Sequence, residues 1–239
     1  MARARRVSSV WTRESKDEPP ALSPGQIVTE AIRLLDEEGL EALSMRRLGA
    51  RLNAGATSLY RHVSNRNELI ELIVDEVYQE IEVPEPDTPE DWRASVAVCA
   101  HSMRSMILRH PWIAPLLGMT GLSYLGPNVL RLNERMQQRF EAVGFEPREA
   151  AHAISALVSY VIGMGVSEAA WLTLVARTGE TESAVHASLR PAIERAVRTH
   201  LDEPARFLGS QVRDPKRNRD EKFEYGLDRL LDGFAARLG

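Results

Sequence analysis

Residues 56–62 read "ATSLYRH", two hydroxyls, a tyrosine, an arginine and a histidine in a stretch too short to be a domain and too polar to be core. Its flanks give it a context. "Asn53-Ala54-Gly55" precedes it, a turn signal in which Asn and Gly tolerate left-handed backbone. Before that lies a short segment whose Leu48 and Leu52 point inward and whose Ser44 is placed to cap its start. The spacing predicts two short helices joined by a turn of three or four residues, the second presenting polar side chains: a helix-turn-helix.

An α-helix fits the DNA major groove, where hydroxyl, guanidinium and imidazole groups meet base edges while residues at its ends reach phosphates. On this reading Ala56, Thr57, Ser58 and Arg61 face the groove, Leu59 packs inward, and Tyr60, His62 and Arg66 lie near phosphates. Ser44 and Arg46 add backbone contacts, and Gly55 lets its amides approach a phosphate closely. The same geometry also occurs as plain core structure, so periodicity alone leaves both readings open.

Outward from this pair the pattern stays helical. Ser23, Pro24 and Gln26 form a capping-box signature and Leu22 with Ile27 a hydrophobic staple. They predict a helix over 24–38 with Ile27, Ala31, Leu34 and Leu35 on one face and Gly39 at its end. Asn65 with Glu68 repeats the cap logic for a long amphipathic helix running to the prolines at 84, 86 and 89. Further helices are expected near 89–109, 112–118, 127–142, 147–175, 182–208 and 219–238, with a polar loop over 209–222. Strand alternation with turn pairs is missing, and the chain reads as all-α. Three segments are expected: a basic arm and proline linker over 1–21, a DNA-binding unit over 22–82 that includes the start of the connecting helix, and a larger helical unit over 83–239.

The chain has 239 residues and a formal net charge of −4, so it has no general attraction for polyanions. Any such site is local. Residues 1–66 carry 11 Lys+Arg against 8 Asp+Glu, and the remainder 19 against 26, so the basic end is the first quarter. The arm's Arg3, Arg5 and Arg6 could enter a neighbouring minor groove or stay a solvated tail. A single cysteine, Cys99, fits a reducing cytoplasm, the expected location. The start lacks the apolar stretch of a secretory signal. The longest weakly polar run, Ala153 to Val166, is shorter than the roughly 20 residues of a membrane span, so a buried helix is expected there.

The run "GLEALSMRRLGARLNAGATSLYRHVSNRNELIELIVDEV" resembles the DNA-binding domain of the TetR family of bacterial transcriptional regulators, with its "LYRHV" core and the "SNRNEL" opening the fourth helix. Downstream, "EAVGFEPREAAHAISALVSYVIGMGVSE" and "KFEYGLDRLLDGFAARL" resemble the C-terminal domain of the tetracycline-repressor branch. The resemblance implies a ligand-responsive repressor that binds double-stranded operator DNA, with a C-terminal domain that dimerises and holds a small-molecule effector.

The residues give their own reasons for both. Small residues from Ala151 to Ala170 are interleaved with Ile154, Leu157, Val158, Val161 and Ile162, and Phe223, Leu227, Leu230, Leu231, Phe234 and Leu238 share a face of the last helix. Helices near 147–175 and 219–238 are therefore expected to build a four-helix homodimer interface, the alternative being that these faces bury within one subunit. Two reading helices would then meet half-sites about one helical turn apart in an imperfect palindrome.

For the effector, Met103, Met106, Trp112, Met119, Tyr124, Met136, Phe140, Tyr160, Met164 and Trp171 supply adaptable or aromatic side chains, although at helical spacing each can equally be core. Carrying over the tetracycline repressors' ligand positions residue by residue places Glu82 at their helix-four histidine, Cys99 and Met103 at their helix-five asparagine and phenylalanine, and Met136 at their helix-seven glutamine. Near Leu116 no histidine stands where their magnesium ligand lies. Glu168 alone matches. The resemblance thus implies an apolar effector in place of tetracycline with Mg²⁺, lined by Cys99, Met103, Trp112, Met136, Phe140, Tyr160, Met164 and Glu168, with Glu168 pairing a polar or cationic group. No cofactor or metal is expected. Glu149 and His152 form one Glu-x-x-His pair where a di-iron bundle needs two with two further glutamates, and His62, His101, His110, His186 and His200 lack metal or nucleophile partners, so an enzyme is not expected.

Overall fold

The computed structural model describes residues 22–117, 126–205 and 214–238. The Ser23 hydroxyl accepts from the Gln26 amide at 3.2 Å, and Gln26 accepts in return from the Ser23 amide at 2.9 Å. Helix α1 (Pro24–Glu38) therefore starts in a capping box and ends at Gly39, whose φ of 80° suits glycine. Helices α2 (Met45–Arg51) and α3 (Ala56–Leu59) follow, then α4 (Arg66–Tyr78), capped by Asn65. The rest of the chain forms α5 (Trp92–Arg109), α6 (Ala114–Leu117), α7 (Pro127–Ala142), α8 (Pro147–Thr178), α9 (Glu182–His200) and α10 (Pro215–Ala235). Among the described residues there is no strand, and the fold is all-α.

Several boundaries differ from the sequence pattern, and α4 closes at Tyr78, short of the prolines. α3 closes at Leu59, so Tyr60, Arg61 and His62 lie in the turn after it. α9 stops at His200 because Leu201 is extended, well before the expected end at 208, which lies outside the described residues. α10 begins at Pro215: Asp214 accepts from the Arg217 amide and proline occupies the first helical position, so residues 215–222 of the run expected as a loop form the helix's first two turns, and 209–213 lie outside the described residues. Met119, Tyr124 and residues 1–21, with the arm's arginines, lie outside the described residues.

The central pair is α5 against α8. Their close approach depends on Gly165, where a Cβ would stand 3.0 Å from Ile107 Cδ1. α7 and α10 flank this pair, and α1 packs on α4, which in turn lies against α7. Phe140 is fully buried amid Trp92, Phe145 and Phe234 with ring centroids 5.2 to 5.7 Å apart, an aromatic cluster worth about 0.5–1.5 kcal/mol per pair beyond burial. By length and composition α8 as a whole could cross a membrane, which the shorter run read from sequence could not. Its contacts with α5, α6, α7, α9 and α10 make it the hub of a helical bundle.

Candidate nucleic-acid interface and effector cavity

The geometry of the α2–turn–α3 unit rests on three residues. Asn53 adopts the left-handed conformation with φ of 49°, and the Ala54 amide reaches back to the Gly49 carbonyl at 2.8 Å. At Gly49 an added Cβ would lie 2.8 Å from the Ala54 carbonyl oxygen and 3.4 Å from Leu59 Cδ1, so only glycine lets the turn fold this tightly against α2. Gly55, by contrast, is extended and open on all sides. Leu48 and Leu59, fully buried, lock the two helices together. Sequence reading passed over Gly49, whose signal was a glycine on the inward face five residues before the turn's tip.

Ser44, Arg46, Gly55, Ala56, Thr57, Tyr60, Arg61 and His62 are exposed on this unit, and Ser58 is half-buried. Ser44 caps α2 by accepting from the Arg47 amide at 3.2 Å, so its hydroxyl is already engaged. The arginines divide sharply. Arg47 pairs with Glu38 on α1, and Arg51 binds Glu30 and Glu37, each at 2.6 Å. Arg46 and Arg61 have no carboxylate or hydrogen-bond partner among the described residues. Arg66 is exposed, and its Nε and Nη2 donate to the carbonyls of Leu43 and Leu40 at 3.1 and 3.2 Å. It braces the short turn between α1 and α2, where the Leu40 carbonyl also accepts from the Leu43 amide at 3.3 Å.

In the bundle, a small cavity of about 10 Å³, room for about one water, lies between three helices. Cys99, Ala100 and Met103 line it from α5, Leu132, Asn133 and Met136 from α7, and Ile154, Leu157, Val158 and Val161 from α8. Of the expected ligand contacts, Cys99, Met103 and Met136 are brought together here. Burial pushes the Cys99 thiol up to about 12. Asn133, the one amide in the lining, was not foreseen, because a solvent-facing Asn on a helix gives no signal by itself.

The other expected contacts stand elsewhere. Trp112 donates its indole N–H to Asp36 on α1 at 2.7 Å and shares that carboxylate with the buried His110, whose other ring nitrogen is 3.0 Å from Glu80. Phe140 belongs to the aromatic cluster, and Met164 packs on the core without reaching the cavity. Tyr160 donates to the Phe223 carbonyl at 2.8 Å and lies under Gly226, where a Cβ would clash with its ring. Glu168 is not free for a cationic ligand: Arg104 binds both its oxygens at 2.7 and 3.0 Å and Arg219 adds a third bond at 3.0 Å. Arg104 also holds Asp220 and stacks over Phe223 at 4.7 Å. Burial works against the Arg104 charge, but Glu168 and Asp220 more than offset it and keep it protonated.

The apolar stripe expected for subunit contact on α10 divides: Leu230 and Phe234 are half-buried and Leu238 is exposed, while three members face inward. Phe223, Leu227 and Leu231 are at most 2% exposed, packed within the chain. The open apolar surface lies on α8 instead, where Ala156, Gly163, Ala170 and Leu174 are exposed between half-buried Ile162 and Val166. On α10, Tyr225 is exposed.

The fold and the exposed α2–α3 unit define a helix-turn-helix DNA-binding protein with a helical C-terminal bundle. Residues 27–73 match the family of bacterial regulatory proteins named for TetR, and residues 85–238 match the tetracyclin repressor-like C-terminal domain. An HTH-type transcriptional regulator of Saccharopolyspora erythraea is 37% identical over 68% of this chain and 69% of its own length. The HTH-type transcriptional repressor DrrR1 of Streptomyces coeruleorubidus is 30% identical over 96% of this chain and 84% of its own. Among solved structures, the Streptomyces coelicolor TetR family protein ActR in complex with actinorhodin aligns with a TM-score of 0.73 and 32% identity, covering 91% of this chain and 99% of that one. The chain belongs to the TetR family of transcriptional regulators.

Proposed function

We propose that this chain is a repressor that binds an imperfectly palindromic operator as a homodimer and leaves it when a small, rather apolar molecule enters the cavity between α5, α7 and α8. Residues 22–82 form the reading unit and residues 83–239 the effector and dimer unit, acting on DNA in the cytoplasm. The observation that carries the reading is the pair Arg46 and Arg61: two exposed guanidiniums without carboxylates on a unit whose other α2 arginines are neutralised. Arg61, Ala56, Thr57 and Ser58 meet base edges, and Ser44, Arg46, Gly55, Tyr60 and His62 the backbone.

The cavity wall of aliphatic and sulfur side chains supports an apolar effector, since Met and Leu repack around an apolar guest more readily than a charged wall would. The ActR complex with actinorhodin supports, by analogy, a small-molecule effector. The exposed small-residue face of α8 supports the dimer, which supplies the second reading helix.

Binding of the purified protein to DNA flanking its own gene, titrated across salt against an unrelated duplex, tests the reading. Tight, steeply salt-dependent binding to the flanking DNA alone is expected. Equal, weak binding to both, and to fragments selected from the genome, would overturn it. For a candidate effector, unchanged operator affinity at saturation excludes that compound.

A further inference from the structure

The cavity and the reading unit meet where α7, one of the cavity walls, packs on α4. Of the three cavity walls, α5 and α8 form the close-packed centre, whereas α7 buries only Leu132, Met136 and Phe140 and turns its other face to solvent. The N-terminal end of α7 is fastened to α4. Asp75 Oδ1 accepts from the amides of Asn128 and Val129 at 2.9 and 3.2 Å, and Asn128 Nδ2 donates to Asp75 Oδ2 at 3.0 Å and to its carbonyl at 2.9 Å. The first amides of a helix have no partners within it, so a carboxylate there satisfies them and complements the helix dipole. Gly126 leaves space for that carboxylate: a Cβ would stand 2.1 Å from Asp75 Oδ1.

We propose that Asp75 is the residue by which the cavity positions the reading head. A guest that widens a cavity of about 10 Å³ must displace a wall, and α7 is the least enclosed of the three. The four bonds at Asp75 carry that displacement into α4, on which α1 packs. The Asp36 carboxylate, held by Trp112 and His110, fixes α1 to the turn after α5, away from the cavity. Asp75 touches neither DNA nor ligand and acts by position alone. The inference rests on the reading of this cavity as the effector site.

The test needs no operator, effector or dimer, so its failure is separable from that of the proposed function. Ala100→Leu adds bulk inside the cavity and stands in for a guest. Hydrogen exchange by mass spectrometry is compared for wild type, A100L, D75A and the double variant. With Asp75 present, A100L is expected to speed exchange in the first turn of α7 and along α4 about tenfold, the equivalent of about 1.4 kcal/mol of overpacking. With D75A, A100L should speed α7 alone. An α4 response that survives undiminished in the D75A background overturns the proposal, and so does any outcome in which α7 does not respond. Val158→Ile makes a smaller addition to the same cavity and replaces A100L if that variant fails to fold.

Discussion

Arginines at two places in this molecule meet opposite fates. At the α5–α8–α10 junction, Arg104 and Arg219 converge on Glu168, with Asp220 and Glu182 completing the cluster. On the α2–α3 unit, Arg46 and Arg61 stand in solvent with no carboxylate among the described residues. A buried charge must be paired or it costs several kcal/mol, whereas an exposed one costs little and remains available to a polyanion. Residue type therefore says less about role than the presence of a partner.

The buried side of that contrast gives the largest expected effect. Arg104→Met removes the bidentate partner of a carboxylate that is only 9% exposed. A loss of about 3–5 kcal/mol is expected in urea unfolding, because breaking a buried pair strands the remaining charge. The fraction still folded should keep the operator affinity of the wild type. A loss below about 1 kcal/mol would mean that Arg219 suffices to hold Glu168 and that the cluster is redundant.

Gly49→Ala comes next, with about 1–3 kcal/mol of overpacking expected from the contact at 2.8 Å with the Ala54 carbonyl. Because the strain falls between α2 and α3, operator affinity should fall further than Tm alone accounts for, which calorimetry and binding on one preparation would separate. Unaltered affinity would detach the turn's geometry from reading.

What could be read from the sequence follows the range of the interactions. Caps at Ser23, Ser44 and Asn65 and the inward Leu48 and Leu59 are local, three or four residues apart, so the reading unit was legible almost whole. Partners were not. Glu168 meets its arginines across 64 and 51 residues, and Arg51 meets Glu30 across 21, separations at which no periodicity helps. For the same reason Glu168 was expected at a ligand, and Arg66 at a phosphate when it holds the Leu40 and Leu43 carbonyls. The Phe223, Leu227 and Leu231 stripe shows the limit from the other side: period reveals that a face is buried, and only packing reveals against what. The cavity depended on packing too, and three of its eight expected contacts were found in its wall.

On the exposed side, Arg61→Ala and Arg46→Ala sharpen the contrast by separating two kinds of DNA contact. Both should leave stability within about 0.5 kcal/mol. Loss of Arg61, proposed to read bases, should cost about 1–3 kcal/mol of discrimination between operator and altered base pairs. Loss of Arg46, proposed to contact a phosphate, should weaken all duplexes alike and reduce the slope of log affinity against log salt by about 0.9. If the two variants behave identically, Arg61 reads no base.

The smallest effect belongs to the neutralised arginines of the same unit, and it discriminates most finely. Arg47→Ala breaks a largely exposed pair with Glu38, so about 0–1 kcal/mol of stability and no change in the salt slope are expected. A slope that falls as it does for Arg46→Ala would show that pairing on α1 does not withdraw an arginine from DNA, and the division between the two sets would fail. Acid probes the pairing of the other neutralised arginine, Arg51. Hydrogen bonding to Arg51 holds the Glu37 carboxyl below its ordinary value of 4.5. A carboxylate lowered on folding contributes stability that is complete above that value and is lost as pH falls through the lower folded one. Titrating Glu37 below pH 4.5 by NMR should therefore show a depressed midpoint that returns to the ordinary value in Arg51→Ala, and an unshifted midpoint in the wild type would mean the pair does not persist in solution.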